Sequence, residues 1–247
     1  MEGDLVFGLN PALAILADAS RPVESVVMLQ GARGERFQEA ERLVRERGLR
    51  PRFVDRPTLD RMIDGASHQG IVLRVGVRLQ PTWDELLDRL EDRVDPVLLL
   101  LDNVEDPRNL GAILRSAEAF GVEAVVLPRD RTAPLSGVAI KVSSGAAERV
   151  DVVRVTNLAR AMVELKERGV VLVGLDGEAN RVLEDGALHG PLALVLGGEG
   201  KGLRRLTRER CDAMLSIPMV GGVGSLNVST AAGIALYEVR RQRDHSS

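Results

Sequence analysis

The sequence predicts an α/β protein in two parts: a small N-terminal β-α-β-α-β-α-β unit, then a doubly wound domain on a parallel sheet. Three observations predict it. VLLLLD, AVVLP, VVLVGLD and LALVLGG, starting at Val97, Ala124, Val170 and Leu192, are aliphatic runs without polar alternation, as expected of strands buried on both faces. NLGAILRSAEAF and NLARAMVELKERG lie between such runs, show helical periodicity and end at glycine. At 79–93 the pattern changes to LQPTWDELLDRLEDR, a proline followed by a charged amphipathic stretch. These residues read as a linker with one helical element, between a first domain at 1–78 and a second at 94–247.

The elements follow in order. LVFG opens as a short apolar strand, and Asn10-Pro11 reads as a cap with proline at the first helical position. Ala12, Leu13, Ile15 and Leu16 continue that helix. ESVVMLQG is a second strand, and FQEAERLVRERG is an amphipathic helix stopped by Gly48. PRFVDRPTLDRMI gives strand, turn and short helix, and QGIVLRVGV closes the first domain with a strand. In the second, a strand ending in Asp102 leads through a polar loop to a helix expected near Asn109. MLSIPM is a further strand, followed by a glycine loop and a helix rich in small residues from Ser229 to Gly233.

Composition narrows the function classes. Of 247 residues 45% are apolar and 28% charged, which excludes disorder, collagen and coiled coil as readings of the whole chain. No apolar run approaches the roughly 20 residues that span a bilayer. MEGDLVFGLN lacks a basic region followed by an apolar core, so no membrane association and a cytoplasmic location are expected. Cys211 is the one cysteine, which rules out a disulfide framework and a multi-thiolate metal site; no metal is expected. Lys+Arg is 33 against Asp+Glu 36, a net charge of −3, and residues 1–78 hold 12 arginines against 11 acidic residues. Neither half carries a broad basic field, and aromatics are only 2%. Composition alone therefore argues against RNA read by successive base stacking.

Three segments of the second domain carry the chemistry. LDNVEDPRNLGAILRSAEAFG runs from a buried strand into a helix; Asn103, Asp106 and Asn109 are placed to cap it and shape the turn, and Arg115 six residues on is expected at the same cleft. LALVLGGEGKGL follows a strand with four glycines in six positions, yet it matches neither a Walker A loop, since Gly202 follows Lys201, nor GxGxxG in register. It remains a tight loop exposing backbone and carrying Glu199 where a doubly wound sheet binds small molecules. CDAMLSIPMVGGVGSLNVSTAAGIALYE places Ser225, Leu226 and Asn227 ahead of the small-residue helix. No GxSxG elbow surrounds Ser225 and none of His68, His189 and His245 lies in these segments, so a Ser-His-Asp hydrolase has little support.

Taken in this order, the segments resemble the three motifs of the SPOUT superfamily of RNA ribose 2′-O-methyltransferases. N-x-x-D-P-x-N-x-G-x-x-x-R-S-A runs from Asn103 to Ala117, and GGEGKGL and IPM…SLNVS…A complete the set. GLNPALAIL, HQGIVLRV, RVTNLARAM and GLRRLTRERCD extend the likeness over nearly the whole chain. Within the superfamily the likeness is closest to the members that modify a guanosine of bacterial 23S rRNA. The resemblance implies S-adenosylmethionine as cofactor, a homodimer with its active site built from both protomers, and a deep C-terminal trefoil knot over residues from about 195 to 240. It implies an N-terminal domain similar to ribosomal protein L30e that recognises the RNA. It gives catalytic roles to Arg115, Asn109, Glu199, Ser225 and Asn227, and cofactor contacts, largely through backbone, to Gly197, Gly198, Gly200, Ile217 and Leu226. Arg42, Arg45, Arg50 and Arg52 are the RNA-binding candidates of the first domain, with Arg47 among them; a solvated helix face laced with ion pairs to Glu39, Glu41 and Glu46 accounts for them equally well. Two alternatives stand beside the leading reading: the same chemistry on a tRNA or another rRNA nucleotide, and a non-catalytic RNA-binding assembly factor that keeps the knot. The intact set of polar residues counts against the second.

Overall fold

The computed structural model describes residues 4–18, 21–65, 67–76, 80–198, 200, 202–222 and 224–244. The first unit comprises β1 (Asp4–Phe7), α1 (Leu9–Ala17), β2 (Val23–Leu29), α2 (Glu35–Glu46), β3 (Arg52–Val54), α3 (Arg56–Met62) and β4 (Ile71–Val75). Its sheet has the order β1-β4-β2-β3, with β4 antiparallel to both neighbours and β2 parallel to β3. α1 and α2 cover one face through Ile15, Leu16, Phe37 and Val44; α3 covers part of the other through Leu59 and Ile63. His68 is buried and structural, accepting from the Gly70 N–H at Nδ1 (2.8 Å) and placing Nε2 3.1 Å from Asp60 Oδ1.

One expected cap is corrected. α1 starts at Leu9 behind Gly8, which makes no side-chain cap bond, so Asn10 and Pro11 both lie inside the first turn. The orphan Leu9 N–H is instead taken by Gln69 Oε1 at 2.9 Å, a partner sixty residues away that no local pattern reveals.

The expected linker holds α4 (Trp83–Glu91), entered through a Thr82–Glu85 capping box. Leu86, Leu87 and Leu90 sink into the core of the second sheet, and the Trp83 indole donates to Glu164 (2.6 Å). This stretch is therefore a packed layer and not a tether. The boundary expected at 78/79 lies outside the described residues.

The second unit continues with β5 (Val97–Asp102), α5 (Pro107–Ala119), β6 (Ala124–Pro128), α6 (Gly137–Val142), a 3₁₀ turn (Ala146–Glu148), β7 (Asp151–Val155), α7 (Leu158–Glu167) and β8 (Val171–Leu175). β9 (Arg181–Val182), a 3₁₀ turn (Leu183–Asp185), β10 (Leu192–Gly197), α8 (Arg205–Arg210), β11 (Ala213–Ser216) and α9 (Val228–Asp244) complete it. The sheet order is β7-β6-β5-β10-β8-β11-β9, and every pairing is parallel. Along β5, Leu99 and Leu101 enter the core under α5 and α9, while Leu98 and Leu100 enter the core under α4 and α7. That double burial is why VLLLLD shows no alternation. The chain leaves β5 toward β6 and β7, returns to the far side at β8, and later inserts β10 between β5 and β8. This reversal makes the switch point beyond whose carboxyl ends a ligand crevice forms. Among the described residues no helix is long and apolar enough to cross a membrane.

Candidate functional site

β10 ends at Gly197, in register with Asp102 at the end of β5. The Asp102 carboxylate is fully buried, and Arg204 meets it with its backbone N–H (2.9 Å to Oδ2) and its Nε (2.6 Å to Oδ1). A carboxylate removed from water needs such partners, so the pair closes the loop after β10 onto the strand end. The Gly198 N–H adds a bond to the Asp102 carbonyl (2.8 Å), and Gly198 bridges Gly202 across the loop. Here glycine is required by contact. A Cβ on Gly197 would land on the Gly202 carbonyl and the Leu203 nitrogen, and one on Gly198 would land on the Asn103 carbonyl. Asn103 itself turns the chain in the left-handed region, φ +67°. Of the four glycines that fit no nucleotide motif, Gly197 and Gly198 thus serve backbone-to-backbone packing, while Gly200 and Gly202 turn the loop through positive φ, +79° and +60°.

Around this loop lies a cavity of about 460 Å³, bounded by Leu175–Glu178 after β8, Leu196–Gly198 with Gly200, Gly202 and Leu203 after β10, and Ile217 and Met219 after β11. Gly224, Ser225, Leu226, Val228 and Ala231 close it from the start of α9. One cavity therefore gathers Gly197, Gly198, Gly200, Ile217 and Leu226, and Ser225 with them.

The other polar candidates are distributed. α5 begins at Pro107, two residues before the expected start, because Asp106 is its cap, accepting from the Arg108 N–H (2.8 Å). Asn109 therefore sits in the first turn, 8% exposed, and its Oδ1 accepts from Asn227 Nδ2 (3.0 Å). Asn227 Oδ1 in turn accepts from the Ser229 N–H (2.9 Å) and hydroxyl (2.6 Å), which caps α9. The pair ties the starts of α5 and α9 together beside the cavity. Arg115 does not join them. Six residues at about 100° each put it roughly 120° around the helix from Asn109, and it is exposed, outside the cavity lining and without a hydrogen bond or ion pair to any described residue. The expectation of one shared cleft is not met within a single chain. Glu199 lies outside the described residues.

Sequence reasoning missed three charged residues of the cavity wall, Asp176, Glu178 and Arg208, of which Arg208 forms an ion pair with Asp176. The available signal was that Asp176 ends an aliphatic strand run just as Asp102 does. In the first unit Arg42, Arg45, Arg50 and Arg52 are all exposed, with Arg42 paired to Glu46 at 2.6 Å. Arg47 is different: it turns inward and donates to the carbonyls of Ile15, Asp18 and Arg21. Burial pushes the Cys211 thiol up to about 12, with the nearby Asp212 carboxylate adding to it. Among the described residues no group of three or more His, Cys, Asp and Glu is placed to hold a metal ion.

The fold and this cavity define a doubly wound α/β protein with a glycine-cradled small-molecule site at the carboxyl ends of its central strands. Residues 96–237 match the SpoU rRNA methylase family, and residues 5–76 match the family described as RNA 2′-O ribose methyltransferase substrate binding. The chain belongs to the SpoU rRNA methylase family. It is 47% identical over 240 residues to the 23S rRNA (guanosine-2′-O-)-methyltransferase RlmB of Yersinia pestis, covering 97% of this chain and 98% of that one. To the protein of the same name from Escherichia coli K12 it is 46% identical, covering 97% and 99%. Among solved structures it resembles the SpoU methyltransferase AviRb of Streptomyces viridochromogenes, with a TM-score of 0.82, 27% identity and coverage of 99% of this chain and 91% of that one. The structure of AviRb in complex with its cofactor AdoMet gives a TM-score of 0.81 at 28% identity, covering 98% and 90%.

Proposed function

We propose that this protein transfers a methyl group from S-adenosylmethionine to the ribose 2′-hydroxyl of a guanosine in 23S rRNA. The observation that carries it is the single cavity uniting the glycine loop after β10 with Ile217, Ser225 and Leu226, in a chain that matches 23S rRNA guanosine methyltransferases over 97% of its length. The cavity fits the cofactor. At about 460 Å³ it is within the usual range for small-molecule sites. Gly197 and Gly198 form a cradle that any Cβ would fill, and Leu196, Leu203, Ile217 and Leu226 give apolar walls.

When bound, S-adenosylmethionine supplies an electrophilic sulfonium methyl. The protein's task is to align a weak nucleophile with it and stabilise the charge that develops. No histidine is among the described residues of the cavity wall, and a guanidinium, protonated at any working pH, makes a poor general base. Arg115 is exposed and unpartnered among the described residues, which suits it to grip an RNA phosphate and stabilise the forming 2′-alkoxide. Asn109 and Asn227 hold the two helix starts in register, Ser225 faces the cavity, and Glu199 keeps the catalytic role that the family resemblance gives it.

Because Arg115 lies away from its own chain's cavity, it serves the cavity of a second copy in a homodimer. The small residues at 229–235 are largely used within the subunit: Ala232 and Ala235 are fully buried, and Gly233 faces Ser116. The exposed Ile234 and Tyr237 are left for a partner. The C-terminal knot, over about 195–240, is supported by the insertion of β10 between β5 and β8 and by the seating of the following loop on Asp102 and Asn103. The four-stranded first unit, with helices on both faces, serves as an L30e-like RNA-recognition domain over residues 1–78, followed by 79–93 and the catalytic domain at 94–247. Arg42, Arg45, Arg50 and Arg52 contact phosphate there. With rRNA as its substrate, the protein works in the cytoplasm. Mapping 2′-O-methyl marks in rRNA from a deletion strain, with and without complementation, tests this: one guanosine mark lost and restored supports it, and an unchanged rRNA map overturns the address.

A further inference from the structure

The two units meet along a seam that none of the site residues explains. Residues 137–148, α6 with the 3₁₀ turn after it, are pressed between α1 and β1 on one side and α5 on the other. Ile140 packs against the cores of both units. Lys141 Nζ lies 5.6 Å from the centre of the Phe7 ring. At Gly145, φ +97°, an added Cβ would stand 3.1 Å from both the Asn10 carbonyl oxygen and Ala14 Cβ. On the other side, a Cβ on Gly111 of α5 would stand 2.8 Å from Val142 Cβ. α6 is thus seated directly on the helix that carries Asn109 and Arg115.

At the centre of the seam is a buried ion pair, Arg21 Nε to Glu148 Oε2 at 3.2 Å, with side chains 6% and 5% exposed. Arg21 is held from behind, since Arg47 at the end of α2 donates to its carbonyl at 2.5 Å and to those of Ile15 and Asp18. Such a pair is a poor source of stability. Desolvation of two charges offsets most of their attraction, and Arg21 Nε and Nη1 are both buried without a hydrogen bond to any described residue, so the contact is one of charge alone. What a buried pair supplies well is register: an ordinary apolar seam tolerates sliding, whereas two opposite charges out of water have one acceptable arrangement.

We propose that Arg21 and Glu148 are positioning residues for methyl transfer, fixing the RNA-recognition unit on α6 and through it on α5, so that bound RNA is presented in line with Arg115. The inference rests on the reading that the first unit recognises RNA. It places the effect of the pair on the rate after RNA has bound, not on affinity for RNA or cofactor.

The test uses the full-length chain and a 23S rRNA fragment, measuring fragment affinity, S-adenosylmethionine affinity, thermal unfolding and the single-turnover methylation rate. The apolar pair R21M/E148L is expected to bind both ligands within twofold of the unaltered protein yet to methylate at least tenfold more slowly. The reversed pair R21E/E148R, which can re-form the ion pair, is expected to recover most of the rate lost by R21E alone. An apolar pair working at the unaltered rate overturns the proposal, as does a rate loss fully matched by weaker RNA or cofactor binding. A reversed pair no faster than R21E also overturns it, and this arm decides if the apolar pair does not fold. Failure of the unaltered protein to methylate the fragment would instead sink the functional reading beneath it.

Discussion

Gly198→Ala probes the loop after β10 at its tightest point. The added methyl would sit 2.7 Å from the Asn103 carbonyl carbon and closer still to its oxygen, where real Cβ atoms essentially never come within 3.0 Å. The obstacle is backbone on both sides, in a loop anchored by Gly198 to Asp102 and by Arg204 to the same residue, so it cannot be relieved by rotating a side chain. Overpacking of this kind costs about 1–3 kcal/mol. At roughly 2–4 °C per kcal/mol for a chain of this size, the midpoint of unfolding should fall by about 2–12 °C. Because the displaced loop is the cavity wall, S-adenosylmethionine affinity should fall at least tenfold, about 1.4 kcal/mol. Two neighbours calibrate the effect. Gly200→Ala meets open space but sits at φ +79°, so it should cost only the left-handed strain of about 1–2 kcal/mol. Gly222→Ala meets open space outside that region and should be silent. Differential scanning fluorimetry and isothermal titration read both quantities. Gly198→Ala with unaltered stability and affinity, or Gly222→Ala equally damaging, would show that backbone packing does not shape this wall.

Arg115→Ala should abolish methyl transfer while leaving unfolding within about 0.5 kcal/mol and cofactor affinity nearly unchanged, since the side chain is exposed and outside the cavity; parallel loss of transfer and cofactor binding in titration would exclude the role. Asn227→Ala should cost about 0.5–2 kcal/mol in chemical denaturation, because it removes the cap of α9, and Asn227→Asp, which keeps the accepting oxygen, should cost less. Replacing Arg42, Arg45, Arg50 and Arg52 together should flatten the dependence of log K on log salt by roughly 0.7–0.9 for each phosphate no longer neutralised; an unchanged slope in filter binding would remove them from the RNA interface. The Cys211 thiol, pushed by burial up to about 12 from an ordinary value of 9.0, should resist thiol reagents at pH 8 until the chain unfolds. Above about pH 9 the unfolded chain loses this proton while the folded chain keeps it, so stability should decline as pH rises from 9 toward 12.

Elements that bury both faces were plain in the sequence. VLLLLD and LALVLGG became adjacent central strands, and FQEAERLVRERG became α2, with Gly48 in the left-handed conformation just beyond it. Cap assignments fared worse, because they depend on competing partners. At α5 Asn103, Asp106 and Asn109 were all candidates and Asp106 took the role, while at α1 distant Gln69 satisfied what Asn10 was expected to satisfy. The sequence order of the strands also hides that β10 enters between β5 and β8, which brings Asp102 to Arg204 across 102 residues. The cavity glycines were legible as a loop at a strand end, but Gly197 and Gly198 were not legible as positions where another backbone occupies the Cβ space. Asp176 left one trace, its place at the end of an aliphatic strand run, whereas Glu178 and Arg208 were illegible, since only the fold carries their segments to the same wall. Arg47 looked like its exposed neighbours on one arginine-rich stretch, yet helical phase turns it onto three carbonyls.

Methyl transfer to the ribose hydroxyl of one guanosine can be read without intermediaries. Purified protein is incubated with unmodified 23S rRNA and S-adenosylmethionine labelled in the methyl group, and the labelled nucleoside is identified by mass spectrometry after complete digestion. Label should enter 2′-O-methylguanosine alone, at one position, and none should enter when Arg115 is replaced by alanine. Label on a base, on another nucleoside, or only when tRNA is supplied would contradict the proposed activity.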